Sequence, residues 1–74
     1  MTLTADQKAA LQHVYSQIAP DIPEDYEPEE IAELIIDANR LTLYGYPAVD
    51  EQMREFTRKD YGETLAMIVR ELHL

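Results

Sequence analysis

Four prolines, at positions 20, 23, 28 and 47, decide how this chain of 74 residues can be divided. A proline interrupts a helix unless it stands in the first turn, because it lacks the N–H that an interior position must donate. The stretches between them carry apolar residues at the 3.6-residue period of a helix, with none of the alternation of a strand. No Asn-Gly or Asp-Gly hairpin signal and no internal repeat is present. The expected fold class is therefore all-α: a compact bundle of about four short helices, over roughly 5–19, 28–44, 48–56 and 58–73, with no sheet.

Each helix has its own punctuation. Thr4 and Gln7 have capping-box spacing ahead of Leu11, Val14, Tyr15 and Ile18, and Pro20 ends that segment. Pro28 suits the first position of the second helix, with Tyr26 and Ile31 placed as a hydrophobic staple, although Glu27 is a poor N-cap. That helix is expected to reach about Tyr44. Gly45 would then take the left-handed position after it, and Leu41 would touch Tyr46 as in a Schellman ending. Pro47 opens a short third helix carrying Val49, Met53 and Phe56, with Asp50 and Glu51 in its first turn. Thr57 reads as the cap of the fourth, with Asp60 three residues on and Phe56 and Tyr61 as its staple. Its core stripe is Tyr61, Leu65, Ile68, Val69 and Leu72, and Gly62 is out of place there, at about 1 kcal/mol against alanine. A single helix over 48–73 is disfavoured, because the Val49/Met53/Phe56 stripe is out of phase with Tyr61/Leu65.

At this length one domain spanning 1–74 is the expectation, with an acidic, proline-containing linker at 19–27 inside it. The chain opens on Met1 without a tag, as a complete small gene product would. The apolar fraction of 46% is too high for a disordered chain, yet a core of this size is marginal without crosslinks, metal or oligomerisation. Cysteine is absent, which rules out disulfides and thiolate metal sites and fits a reducing, cytoplasmic setting. The N-terminus has neither the basic nor the apolar region of a secretory signal, and no run approaches the ~20 apolar residues of a membrane span.

Charge is distributed unevenly. Of the net −9, the 17 residues from Asp21 to Asp37 supply −8, with eight carboxylates and no Lys or Arg. The remaining 57 residues hold seven acids against six bases. Glu29 and Glu30 belong in a helix's first turn, where the dipole favours anions by about 0.3–1 kcal/mol each. Glu33 and Asp37, four apart, repel each other, and Arg40 is placed to relieve only Asp37. Asp21, Glu24, Asp25 and Glu27 have no local base. A solvated face is one reading of such a run; the other is a surface addressed to cations. Tyr26, Tyr44 and Tyr46 are candidate contact aromatics, whereas Tyr15 and Tyr61 read as half-buried core.

A helical projection of the second helix gives an apolar arc of roughly 220°, wider than the stripe of an ordinary surface helix. Either three neighbours bury it, with the acids in solvent, or Ile36 and Leu43, with Met67 of the last helix, are left for self-association.

Chemistry-bearing patterns are missing. Ser16 is the single serine and has no nucleophile elbow around it; His13 and His73 lie far apart with no metal-ligand spacing. The acidic linker lacks the spacing and the glycine of a calcium loop, and Gly45 and Gly62 form no phosphate loop. An acyl carrier protein would have Asp-Ser-Leu opening the second helix, where this chain has Pro28-Glu29-Glu30-Ile31. No catalytic residue, cofactor or metal is therefore expected, and no motif identifies a family. Direct nucleic-acid or membrane-surface binding is disfavoured by the sign of the charge.

In size, acidity and helical makeup the chain is similar to immunity proteins, phage-encoded host-takeover inhibitors and DNA-mimic proteins, a similarity of composition that covers no aligned residues. The expectation is a non-enzymatic protein-binding module. Asp21, Glu24, Asp25, Glu27, Glu29, Glu30, Glu33 and Asp37, with Tyr26, Tyr44 and Tyr46, would meet an exposed Lys/Arg patch on a nucleic-acid-handling partner. The rival is a homodimer closed through Ile36, Leu43 and Met67.

Overall fold

Capping and proline placement start every helix of this all-α bundle. The structure, a computed structural model, describes residues 2–41 and 45–74, apart from the Ala48 side chain. The first helix, α1, runs Ala5–Ile18. Its capping box is complete: Gln7 N–H donates to Thr4 Oγ1 at 3.1 Å, and Thr4 N–H donates to Gln7 Oε1 at 2.8 Å. Pro20 does not end the chain's curl abruptly; Ala19–Asp21 tightens into one 3₁₀ turn first.

Helix α2, Pro28–Arg40, opens with Pro28 at its first position. Glu27, the poor cap by residue type, is helped by its neighbour, since its N–H donates to Glu30 Oε1 at 3.2 Å. The helix ends at Arg40, several residues before the expected Tyr44, with the Leu41 N–H bonded to Ala38. Gly45 is thus not the residue after its last turn, and the Schellman ending is corrected. Thr42, Leu43 and Tyr44 lie outside the described residues. The entry to the next helix is fixed from within α2, where the buried Asn39 Oδ1 accepts the Tyr46 N–H at 3.2 Å.

Helix α3 covers Pro47–Lys59 and α4 covers Tyr61–Leu72. The expected boundary at Thr57 is three residues too early. Asp60 alone is extended, with φ −162° and ψ 105°. Its N–H closes α3 onto the Phe56 carbonyl at 2.9 Å, while its Oδ1 accepts the Glu63 N–H at 3.0 Å to cap α4. Arg58 and Lys59 therefore fall in the last turn of α3, where the helix dipole favours cations. Gly62 is then a first-turn residue and not an interior one. An added Cβ would meet nothing nearer than Asp60 Oδ1 at 3.6 Å, so no close packing demands the glycine. At the far end His73 adopts φ 56°, and Leu74 N–H reaches the Val69 carbonyl at 3.0 Å.

All four described helices feed one hydrophobic cluster. Leu11 and Val14 of α1, Ile35 of α2, Met53 of α3, and Met67 and Ile68 of α4 are its largest fully buried members. Helices α2 and α4 each touch the other three. The radius of gyration, 11.1 Å, is what a compact chain this long should have, ~11 Å.

Candidate functional site

Three-sided packing sorts the residues of α2. Ala32, Ile35, Ile36 and Asn39 are buried; Ile31, Leu34 and Ala38 are half-buried; Glu29, Glu30, Glu33, Asp37 and Arg40 are exposed. With ~100° per residue, the four carboxylates of the helix occupy an arc of about 100°. Asp21, at the end of the 3₁₀ turn, and Glu24, Asp25 and Glu27, between it and α2, are exposed as well. All eight acids of the run are thus open to solvent.

Among the described residues none of the eight enters an ion pair. Arg40, expected beside Asp37, turns instead to α3: its Nε lies 3.1 Å from Asp50 Oδ1, and Arg54 Nε lies 2.9 Å from the other Asp50 oxygen. The reason is geometric and electrostatic. Asp50 is more enclosed than Asp37 and offers two oxygens to two guanidinium groups, whereas Asp37 stands exposed on a neighbouring helical position. The remaining pair, Lys59 with Glu55 at 3.5 Å, is an exposed i,i+4 contact on α3.

Two depressions adjoin on this face. One is lined by Tyr26, Glu30, Glu33, Leu34 and Asp37. The other lies between the end of α1 and α2, with Ile18, Ile22, Leu34, Ala38 and Leu41 making its apolar lining and Asp21 and Asp37 beside them. Leu34 and Asp37 belong to both. Leu41 is 68% exposed, the most open large apolar side chain of the described residues. Glu24, Asp25, Glu27 and Glu29 line neither depression.

Tyr26, 36% exposed, stands with the acids as expected. Tyr46 does not. Its ring meets His13 edge-on at 6.3 Å and lines a separate hollow with Thr4, Gln7 and Pro47. Tyr44 falls outside the described residues. Tyr61 corrects the reading as core: it is 42% exposed and donates its hydroxyl to Glu33. Its pKa is raised, first by burial, then by that hydrogen bond and by the Glu33 and Asp37 charges, with Arg40 pulling the other way. The signal for Tyr61 was present in the chain. Asp60 and Glu63 also have cap spacing, which makes Tyr61 the first residue of α4 and frees it from the core stripe.

The proposed dimer residues fare differently from the acids. Ile36 is 3% exposed and Met67 0%, both within the chain's own core, so neither is left for self-association. Three neighbouring helices cover the Ala32, Ile35 and Ile36 part of the wide apolar arc of α2, while Leu34 and Ala38 stay half-buried and Leu41 exposed. Leu43 lies outside the described residues.

Ser16 bonds its hydroxyl back to the His13 carbonyl at 2.7 Å. No group of three or more His, Asp or Glu side chains among the described residues is arranged to hold a metal ion. No described helix is long and apolar enough to cross a membrane. No family model matches the chain, and neither a curated protein nor a solved structure matches it.

Proposed function

We propose that this chain is a non-enzymatic acidic binding module. It engages a Lys/Arg-rich surface of a nucleic-acid-handling partner in the cytoplasm, as an inhibitor or DNA mimic would. The observation that carries the reading is the state of the eight carboxylates from Asp21 to Asp37: exposed, and without an ion pair among the described residues, while Arg40, three residues after Asp37, is committed to Asp50. Two like charges ~7 Å apart in water repel by about 0.6 kcal/mol. A fold that leaves such repulsion uncompensated is relieved when an external cationic surface arrives. The partner's cations, placed to meet phosphates, would meet carboxylates on α2 and the preceding linker instead. Tyr26 and Tyr61 add amphipathic contact area beside them.

The test starts with affinity capture from lysate of the source cells and elution with a salt gradient. The captured partner is then titrated with the native chain and with the combined Glu29→Gln, Glu30→Gln, Glu33→Gln and Asp37→Asn variant. We expect the association rate to fall steeply with ionic strength for the native chain, and the variant to bind at least tenfold more weakly. Equal affinity of the two chains for that partner would remove the proposal.

A further inference from the structure

Resting on that reading, we infer that the face receives its partner as a basic amphipathic helix, one aliphatic side chain of which seats in the groove between the end of α1 and α2. Charge alone does not call for a groove. This one has an apolar lining from Ile18, Ile22, Leu34, Ala38 and Leu41, and Leu41 at its rim is 68% exposed. Its volume, about 250 Å³, suits one large side chain, since ~150 Å³ already admits a benzene ring. It falls short of the ~300–1,000 Å³ of small-molecule pockets.

The occupant's charge follows from Asp21 and Asp37, which border the apolar lining and have no ion-pair partner among the described residues. A neutral ligand covering them would strip their water without replacing it, and an acidic one would add repulsion. A segment that brings Lys or Arg on either side of its apolar anchor answers both parts of the groove. The occupant's shape follows from α2. Glu30, Glu33 and Asp37 succeed one another at helical spacing, about one turn apart, and the depression they line joins the groove through Leu34 and Asp37. A helix lying along α2 presents cations one turn apart, ~5.4 Å, in step with those carboxylates, and its apolar stripe faces the groove.

The test uses three labelled synthetic peptides of equal charge: a Leu/Lys amphipathic helix, the same helix with its leucines replaced by glutamine, and an oligoarginine. Fluorescence anisotropy measures their binding to the native chain and to Leu41→Ser, whose fold is checked by circular dichroism. We expect the leucine peptide to bind at least tenfold more tightly than the glutamine peptide, and this advantage to survive added salt. Leu41→Ser should erase most of that advantage and leave the other two peptides unaffected. Equal binding of the leucine and glutamine peptides, or indifference of the leucine peptide to Leu41→Ser, overturns the groove while salt-sensitive binding of all three keeps the acidic-face reading. Failure of every peptide to bind at low salt overturns both. A native dimer that Leu41→Ser dissociates assigns the groove to a second copy and overturns the inference.

Discussion

The Tyr61 hydroxyl holds its proton more firmly than an ordinary tyrosine because it is partly withdrawn from water, bonded to the Glu33 carboxylate and close to the Asp37 charge, with Arg40 opposing. The neutral phenol is thus favoured in the folded state. Its raised pKa contributes stability that is fully present below the unfolded value, near 10, and is lost as pH rises through the higher folded value. Ultraviolet titration should therefore show a tyrosine step above the ordinary value near 10. Glu33→Gln should bring that step down, and Tyr61→Phe should abolish it; a titration unchanged by Glu33→Gln would refute the contact. At this scale the exposure of the acids was legible from their run and their helical phase. The choice of Arg40 was not. Local spacing favoured Asp37, but Asp50, ten residues on, is brought to Arg40 only by the packing of α3 on α2.

The helices themselves were legible in number and order, since capping and proline signals are local. Their ends were less so, because competing signals overlap. Thr57 and Asp60 have cap spacing, and so do Asp60 and Glu63. The second pair is used, and Thr57 stays in the last turn of α3 with its Oγ1 buried and without a partner. Asp60→Ala should accordingly destabilise the fold by about 1 kcal/mol, the ordinary value of an N-cap. For a domain of this size that lowers the thermal midpoint by about 4–8 °C. Asp60→Asn should retain most of the midpoint, and thermal melts tracked by circular dichroism separate the outcomes. A harmless Asp60→Ala would mean that packing alone holds this junction.

For the molecule as a whole the net charge of −9 is a self-repulsion that the three ion pairs among the described residues, all at or near the surface, do little to offset. The Debye length falls from ~30 Å at 0.01 M salt to ~10 Å at 0.1 M, so salt should quiet the repulsion along the Asp21–Asp37 face more than it weakens those pairs. The thermal midpoint should rise by several degrees between these concentrations. A midpoint that stays level or falls would show that the acids are not straining the fold. The combined Gln/Asn variant should gain less from salt. The enclosure of Ile36 and Met67 is also visible only at this scale. An apolar arc on one helix does not reveal how many neighbours will cover it, and here there are three.

One extended residue, Asp60, is the whole connection between α3 and α4. Inserting or deleting a residue there would rotate the last helix by ~100° and carry Leu65, Ile68 and Leu72 away from their places. The stretch between the 3₁₀ turn and Pro28 is less constrained, since every residue from Pro23 to Glu27 lies open to water and its hydrogen bonds are local. Changes of chain length are thus forbidden at the rear of the bundle and tolerated at the front, so a lineage could retune its reach toward a changing counterpart without rebuilding the interior.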